Sequence, residues 1–557
     1  IFHPKKCFAL WFTLDLGLNL ISHIEDAALS HLSSLTELSL ARNRLTNLTD
    51  HMFTGLSNLT VLDLSENKIN RISLLAFAPL TKLLEVSLWD NHLSSISDIV
   101  NIVSFCPLLK SLDLSENPLT TPLSRFSLHS DVFPHLQTLH LASVYNDLQW
   151  EVSDETLLKS VRTLDLRLTN FTDETYQLIF QSLESLEKLS LSNVARLNRG
   201  LLDGACGIQT LQTLYLIIFT LYLFIFLGWA LISLWLQPTP FEQVNFLNDS
   251  LLLPCSNLTE LDLSVNLLKD LGPSSLQMLT HLSRLNLAMN SLTEVPLTIR
   301  NMSSLTSLTL RENSISNLRC LDFSGLHLLK ILDLSYNKLT ELNSCAFQDL
   351  QNLQKLYIEK NKIHIFDSIS GITLPNLLVL EANGNYIAEL YKGVFRNMTR
   401  LTDLDLNSES VLTMDVFPGT FDGLTDLRTL SMSPVCIFDS PSAGVGPQSS
   451  SRGRSQLQQV FNLPSLQTLS VTVCDFVCIG LTKDLLQGLD DLKLLSFKSG
   501  LIDSETFHHT PRLLRLEIRN AYKWIPVPEL FQPLTVLQTL DLSENHLNLW
   551  TFSLRLI

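Results

Sequence analysis

Apolar and polar positions follow a repeated pattern, Leu-x-x-Leu-x-Leu-x-x-Asn, which is first seen clearly from Leu35 to Asn43. The Asn position then recurs at intervals of about 24 residues, a spacing typical of short structural repeats. Within each repeat, Leu-x-Leu has the two-residue period of a strand with one buried face, unlike the period of a helix. The sequence therefore predicts one short strand per repeat and a ladder of asparagines at Asn43, Asn67, Asn91, Asn117, Asn266, Asn290, Asn313, Asn337, Asn361, Asn385 and Asn545.

The residue types of the repeat indicate how the strands would stack. The two Leu side chains would enter the core, and the Asn amide would pair backbone groups of the turn, because a buried unpaired polar group costs about 1–3 kcal/mol. We predict an α/β fold: a leucine-rich-repeat solenoid (horseshoe) of about 22 repeats, with a parallel concave β-sheet and an irregular or short helical convex side. A second apolar column is predicted behind the strands, at Phe53, Phe77, Phe323, Phe347 and Phe395.

The repeats divide the chain into six segments. Residues 1–13 would be the remnant of an N-terminal cap, and no charged n-region followed by an apolar run marks a signal peptide. We expect truncation before a C-terminal cap, because no terminal cysteine cluster follows the last repeat. Regular repeats would occupy 14–213, 258–439 and 457–557, separated by an anomalous apolar segment, 214–257, and an inserted loop, 440–456.

The apolar segment has three open interpretations. Residues 214–236 carry no charge and are long and apolar enough for a transmembrane helix. Repeats continue on both sides, however, and basic residues that would orient a membrane span are missing nearby. Since 47 residues separate Phe219 from Asn266, the segment could also hold two degenerate repeats, with turns near Phe219 and Thr239. The third interpretation is a stretch translated from a wrongly drawn gene boundary.

The inserted loop reads SPSAGVGPQSSSRGRSQ and is rich in Ser, Gly and Pro. Such a composition cannot form a core and predicts a flexible surface segment. It could be a passive insertion. Alternatively, Arg452 and Arg454 form a basic element that contacts an anionic ligand or is cut by a protease.

Charge and motif content narrow the function. The 557 residues include 39 Lys and Arg and 55 Asp and Glu, which gives a formal net charge of -16. At neutral pH this negative charge repels phosphate groups. The sequence contains no glycine-rich phosphate loop, HExxH pair or GxSxG elbow. We therefore predict a binding protein that is not an enzyme and that has no cofactor and no metal site.

Seven Asn-x-Ser/Thr sequons predict glycosylation and an extracytoplasmic location. For each of them alone, an unused coincidence in an Asn-rich repeat stays open. The predicted acceptors are Asn47, Asn58, Asn170, Asn248, Asn257, Asn301 and Asn397.

Nine cysteines leave at least one thiol unpaired within the chain. Cys320 and Cys345 are 25 residues apart, about one repeat, so neighbouring turns could bring them within disulfide distance. Cys436 and Cys474 belong to successive repeats and form a second candidate pair. Cys206 with Cys255 is a weaker third possibility.

Two of the repeats, LTELSLARNRLTNLTDHMFTGLSN and LTVLDLSENKINRISLLAFAPLTK, resemble those of Toll-like receptor ectodomains. The interrupted array of repeats is similar to the arrays of one vertebrate branch of these receptors, the branch that includes Toll-like receptors thirteen, twenty-one and twenty-two. The resemblance implies an innate immune receptor that senses microbial molecules such as RNA and forms a homodimer on ligand binding. Cytosolic TIR-domain adaptors would be reached only through a missing C-terminal domain. The implied location is a membrane, on the extracytoplasmic side, with the endosome favoured and the cell surface possible.

Histidines give RNA sensing a physical route, since they gain positive charge at endosomal pH. Most of the 14 histidines have the simpler interpretation of solvated or turn residues, and their spacing establishes no basic strip. The competing hypothesis is a secreted or cell-surface protein whose concave sheet binds a protein partner. The candidate histidines are His281, His327, His364, His508 and His509.

Overall fold

The computed structural model consists of short parallel strands joined by turns, in two compact units. The first unit comprises residues 1–241, 248–266 and 278–282, and the second comprises 242–247, 267–277 and 283–557. The structure describes residues 11–94, 102, 105–119, 135–142, 158–169, 171–192, 199–216, 246–247, 255–266, 268–364, 371–408, 414–417, 419–437, 463–473, 486–498, 502, 505–519, 528–543 and 545.

In the described part of the first unit, ten parallel strands pair in succession, each with its central residue in the core or at its margin. They are β1 (Thr13–Asp15), β2 (Glu37–Ser39), β4 (Val61–Asp63), β6 (Glu85–Ser87), β7 (Ser111–Asp113), β8 (Thr138–His140), β9 (Thr163–Asp165), β10 (Lys188–Ser190), β11 (Thr213–Tyr215) and β13 (Glu260–Asp262). A separate parallel pair joins β3 (Asn47–Leu48) and β5 (Arg71–Ile72). Among the described residues of this unit, the helices α1 (Asp173–Gln181) and α2 (Arg199–Cys206) lie between ladder strands.

In the described part of the second unit, eleven ladder strands pair in the same parallel manner. They are β15 (Arg284–Asn286), β16 (Ser307–Thr309), β17 (Ile331–Asp333), β18 (Lys355–Tyr357), β19 (Val379–Glu381), β21 (Asp403–Asn407), β23 (Thr429–Ile437), β24 (Thr468–Val473), β25 (Leu494–Lys498), β26 (Arg515–Arg519) and β27 (Thr539–Asp541). Strand β12 (Phe246–Leu247) pairs with β14 (Asp270–Leu271), and β20 (Glu389–Leu390) pairs with β22 (Met414–Val416). Helical turns are short: Leu297–Ile299, Ser344–Phe347, Thr506–His509 and α3 (Pro528–Phe531).

The core of each unit follows the periodic apolar positions. Leu38 and Leu40 of the repeat around β2 are fully buried, as are their equivalents in most other described repeats. The five predicted Phe residues are also buried, and each packs against a phenylalanine one repeat away. Ring centroids are 6.0 Å apart for Phe53 and Phe77 and 6.1 Å apart for Phe323 and Phe347. The structure confirms the predicted fold class, a leucine-rich-repeat solenoid of parallel strands with few helices.

The asparagine ladder links each turn to its neighbour. The Nδ2 atom of Asn67 donates to Leu64 and Ser65 in its own turn and to Leu40 in the preceding repeat, at 3.0–3.1 Å. Its Oδ1 atom accepts the N–H of Leu45 at 3.0 Å. Equivalent bonds within their own turns hold the other ten predicted ladder residues, all buried except the half-buried Asn290: Asn43, Asn91, Asn117, Asn266, Asn290, Asn313, Asn337, Asn361, Asn385 and Asn545.

The residue before the ladder asparagine adopts a left-handed backbone conformation. Glu66 has φ 49° and Tyr336 has φ 54°, although neither is glycine. This conformation reverses the chain direction so that the Asn side chain enters the core. The same backbone occurs at Arg42, Asp90, Glu116, Val265, Met289, Glu312, Lys360 and Gly384.

Strands β11 and β13 pair directly, on either side of the apolar segment. Leu214 lies opposite Leu261, and Nδ2 of Asn266 donates to the carbonyl of Leu216 at 2.9 Å. The three interpretations of the segment stay predictions. Leu214 and Leu216 themselves belong to the regular ladder. Residues 217–245, which include the predicted turns near Phe219 and Thr239, lie outside the described residues.

Two disulfides occur among the described residues. Cys320 and Cys345 are bonded, with a Cα–Cα distance of 4.6 Å. Cys206 and Cys255, the weaker possibility from the sequence, are also bonded and join the end of α2 to the turn before β13. Cys106 is a buried thiol, and burial raises its pKa to about 12.

The remaining predicted segments are outside the described part of the chain or only partly within it. Cys474 is not described, and Cys436 is described only as a backbone position of β23, so their pairing stays a prediction. The inserted loop 440–456 and residues 1–10 of the proposed cap remnant also lie outside.

Candidate functional site

The parallel sheet of the first unit has one face that points away from the core, and polar residues line it at regular intervals. Each ladder strand of this unit ends on a residue that points away from the buried Leu, and the parallel register aligns these residues in a row. Four hydroxyl residues and five Asp make the row polar and acidic, and one position holds a histidine. In chain order the row is Asp15, Ser39, Asp63, Ser87, Asp113, His140, Asp165, Ser190, Tyr215 and Asp262.

His140 is the centre of a charged cluster on this face. The register places it between Asp113 and Asp165, and its Nδ1 atom lies 3.4 Å from Oδ2 of Asp165. Arg167 contacts the same carboxylate through Nε, at 3.0 Å and 2.8 Å from its two oxygens. The cluster therefore combines two carboxylates, one guanidinium and one group that titrates near physiological pH.

The contacts shift the pKa values of this cluster in opposite directions. The hydrogen bond that His140 donates to Asp165 raises the pKa of His140 above its ordinary value, although partial burial lowers it. Burial would raise the pKa of Asp165, but the hydrogen bonds from His140 and Arg167 outweigh it and lower that pKa. Protonation of His140 is thus favoured by its neighbours.

The second unit has a strongly acidic surface around β17–β21. Asp333, Glu381, Asp403 and Asp405 lie on these strands, where Lys355 is the only basic side chain on a ladder strand. A carboxylate next to β18, that of Glu359, adds to this charge.

Mutual repulsion is visible in the pKa values of this acidic face. Burial raises the pKa of Glu381, and the carboxylates of Asp405, Glu359 and Asp403 raise it further. Burial likewise raises the pKa of Asp405. The amide of Asn383 lies between two of these groups, 3.5 Å from Oε2 of Glu359 and 3.4 Å from Oδ2 of Asp405. The face is therefore unfavourable for a phosphate backbone.

Arg311 closes one side of the acidic face. Its Nη1 atom donates to Oε1 of Glu359 at 2.9 Å, and its guanidinium carbon lies 4.3 Å from the ring centroid of Tyr336. This cation–π contact and ion pair hold an aromatic ring and a guanidinium together at the surface. Such Arg and Tyr side chains are enriched at protein interfaces.

Further along the second unit, the charge of the sheet face changes sign at β25 and β26. Lys498 lies opposite Arg519 in the parallel register, and Arg515 lies at the other end of β26. Glu517 and Asp541 pair with the two arginines, with Nη2 of Arg515 at 2.7 Å from Oε1 of Glu517 and Nη2 of Arg519 at 2.6 Å from Oδ2 of Asp541. Lys498 is exposed.

The predicted ligand residues fall away from the sheet faces or outside the described chain. Arg452 and Arg454 are not described. The five candidate histidines lie in turns and do not come together on one ladder: His281 is in the first unit, and His327, His364, His508 and His509 are in the second. Among the described residues, His140 is the only histidine on a ladder strand. Aligning the last residue of each strand would have singled it out.

The predicted glycosylation sites differ in their surroundings, and their modification stays a prediction. Asn47, Asn257 and Asn301 are exposed, and Asn301 has a left-handed backbone with φ 63°. Asn58 and Asn397 are half-buried. Asn170 and Asn248 lie outside the described residues.

The described residues also limit other kinds of site. Within them, no three His, Cys, Asp or Glu side chains gather as metal ligands would. No helix in the same described ranges has the length and apolar character needed to cross a bilayer.

Comparison with known proteins finds leucine-rich repeats and several proteins that share them. A family model described as Leucine rich repeat matches residues 33–93, 256–315 and 303–363. Toll-like receptor 3 of Boselaphus tragocamelus is 27% identical over 344 residues, covering 55% of this chain and 36% of that protein. Human Leucine-rich repeats and immunoglobulin-like domains protein 1 is 31% identical over 172 residues, covering 30% and 15%. Tsukushi of Gallus gallus is 26% identical over 266 residues, covering 47% and 66%. The chain thus spans less than two thirds of each relative.

A solved structure extends the similarity over nearly the whole chain. The crystal structure of a complex of Toll-like receptor 13 with a single-stranded RNA superimposes with a TM-score of 0.71 and 25% identity, covering 96% of this chain and 78% of that one. The chain therefore has a leucine-rich-repeat fold. Its sequence and fold are similar to those of Toll-like receptor ectodomains, as the repeats predicted.

Proposed function

We propose that the chain is the ligand-recognition ectodomain of an innate immune pattern-recognition receptor and that its ligand is microbial RNA. The observation that carries the proposal is the likeness to the Toll-like receptor 13 complex, whose RNA-bound chain shares the fold over 96% of this sequence. Similarity to Toll-like receptors 3 and 9 supports the receptor class.

Charge on the second unit favours one part of its sheet face for RNA. Three cations, Lys498, Arg515 and Arg519, share β25 and β26 with the single carboxylate of Glu517. Phosphate contacts from Lys and Arg dominate nucleic-acid affinity, whereas the carboxylates of β17–β21 would repel the backbone. We therefore place the RNA contact at β25 and β26 and exclude it from β17–β21.

The wider features of the receptor are part of the same proposal. The ectodomain would lie on the extracytoplasmic side of a membrane, in an endosome more readily than at the cell surface, because acid pH adds positive charge through histidines. RNA binding would promote a homodimer. Signalling to TIR-domain adaptors would pass through a cytosolic domain beyond residues 1–557.

A second candidate function is protein binding by a secreted or cell-surface repeat protein. The acidic face of β17–β21, with Arg311 packed on Tyr336, favours it, because this surface suits a basic protein better than RNA. Similarity to Tsukushi and Podocan is compatible with this function. The two functions predict opposite outcomes for the RNA experiment.

The test is RNA binding by the purified glycosylated chain at about pH 5.5 and about pH 7.4, over a salt series. We expect binding at acid pH that weakens with salt. Lys498→Ala should lower the salt slope by about one unit for each phosphate contact that is lost. The matched control, Lys355→Ala, removes the same kind of exposed side chain from the acidic face and should leave the slope unchanged. Absence of binding by the folded protein at both pH values would overturn the RNA proposal.

A further inference from the structure

Several repeats carry an Asn immediately before their first Leu, at the edge where the ladder strand begins. In three of them Nδ2 donates to a backbone carbonyl of the preceding repeat at normal distance. In the fourth, Asn257, the equivalent contact with the carbonyl of Gln209 is 3.5 Å, at the outer limit of a hydrogen bond. The three well-formed bonds join Asn58 to Ser33 (2.8 Å), Asn352 to His327 (2.8 Å) and Asn376 to Gln351 (2.9 Å).

The loosely held amide of Asn257 lies on the wall of a groove in the first unit. The groove has a volume of about 700 Å³, within the range of ligand sites. Most of its lining residues are of polar types, and they include Arg162, Glu187, Gln209 and His281. Nη1 of Arg162 donates to Oε1 of Glu187 at 2.9 Å, so the guanidinium is fixed beside the groove. Amide, carboxylate and guanidinium groups are suited to hydrogen-bond sugar hydroxyl and acetamido groups.

Asn257 is also the acceptor of a sequon, Asn-Leu-Thr. Asn257 and Thr259 both line the groove, and Leu258 between them is buried. Since Asn257 is exposed, a group attached to its Nδ2 atom would begin at the groove wall. The disulfide between Cys206 and Cys255 holds this turn against the residues after α2.

We propose that Asn257 carries an N-linked glycan and that its proximal N-acetylglucosamine residues lie in this groove. In the transfer step, Nδ2 bonds to C1 of the sugar, the bond from C1 to the lipid pyrophosphate donor breaks, and the amide proton passes to a base of the transferase. The step requires passage through the secretory pathway, so it rests on the extracytoplasmic location of the proposed function. It does not depend on RNA as the ligand.

Asn58 shows what distinguishes the groove sequon. Its Nδ2 atom donates to Ser33 at 2.8 Å, and its Oδ1 atom accepts from Nζ of Lys82 at 2.7 Å, so the scaffold uses both ends of the amide. Transfer takes place on the unfolded chain, and these contacts do not decide which sequon is modified. The contacts around each Asn instead determine where an attached sugar lies after folding. Beside Asn257, the groove provides a surface that the sugar can occupy.

The experiment measures how fast each glycan is removed from the native protein. The full chain, secreted from glycosylating cells, is treated with a peptide N-glycosidase in heavy-oxygen water, and mass spectrometry follows release at Asn257 and at exposed Asn47. We expect slower release at Asn257. Arg162→Ala and Gln209→Ala should each speed it roughly fivefold, the ratio for one ordinary hydrogen bond, while leaving Asn47 unchanged.

The controls separate the proposal from loss of folding. Arg42→Ala removes an exposed ion pair with Glu66 in the same unit and should leave both rates unchanged. The release rate at Asn47 reports on the folding of the unit in every variant. The proposal is overturned if Asn257 is unmodified, or if its glycan is released as fast as that of Asn47. It is also overturned if the groove variants do not change the rate. RNA binding by the same preparation tests the proposed function separately.

Discussion

Replacing a ladder asparagine tests whether the amide holds successive turns together. In Asn337→Ala, the N–H of Ile315 loses its acceptor at 2.9 Å. The carbonyl of Leu310 loses one donor at 2.9 Å but keeps Nδ2 of Asn313 at 3.0 Å. Both groups are in the interior of the second unit. The unpaired N–H of Ile315 alone should lower the free energy of unfolding by about 1–3 kcal/mol. Bonds from Asn337 to Leu310, Leu334 and Ser335 are lost as well and add to this loss.

The matched control is Asn352→Ala in the same unit. Its side chain is exposed and donates one bond, to the carbonyl of His327 at 2.8 Å, so its removal should cost about 0.5–1.5 kcal/mol. Urea unfolding of both variants gives the difference, and hydrogen exchange at the amide of Ile315 gives the local effect. Equal losses of stability in the two variants, or unchanged exchange at Ile315, would refute the role of the ladder amide.

Three further predictions concern charge, cross-links and packing. Because Asp165 raises the pKa of His140, protonated His140 stabilises the first unit below about pH 6.5, and this contribution is lost as pH rises through the raised value. The stability advantage of wild type over His140→Gln, measured by urea unfolding across this range, should therefore shrink as pH rises, and a constant difference would contradict the contact. The double variant Cys206→Ser/Cys255→Ser should have a free energy of unfolding about 2–4 kcal/mol below that of the wild type under oxidising conditions. After reduction of the wild type and the variant, urea unfolding should show no difference between them. Phe323→Ala should cost about 3–5 kcal/mol in urea unfolding, and a loss below about 1 kcal/mol would show that the Phe column is not a packed core.

The sequence predicts the fold well because the repeat encodes local and long-range structure together. Leu-x-Leu specifies the strand, and the Asn nine residues into the pattern marks the turn that follows it. Neighbouring repeats then supply the buried partner surface, so each repeat needs only its neighbours to form. The Phe column follows from the same reasoning, since its members share one position of the repeat. Cys320 and Cys345 lie about one repeat apart for the same reason.

The charged clusters could not be read from a fixed period. Asp113, His140 and Asp165 are aligned by strand register, but their separations in the sequence are 27 and 25 residues because the repeats differ in length. The apolar segment shows the same difficulty: the 47 residues from Phe219 to Asn266 match two repeats by length, whereas the register pairs Leu214 directly with Leu261.

The disulfide between Cys206 and Cys255 also determines how the chain would respond to a stretching force. The bond bypasses 49 residues of sequence with Cα atoms 4.7 Å apart. If the protein were pulled from its two ends, strands could peel away one turn at a time, but the bypassed stretch would carry no load. A fully extended chain reaches about 3.4 Å per residue, so reduction would lengthen the final trace by roughly 160 Å. Strand β11 lies within that released length, whereas β13, its neighbour in the sheet, lies just beyond it.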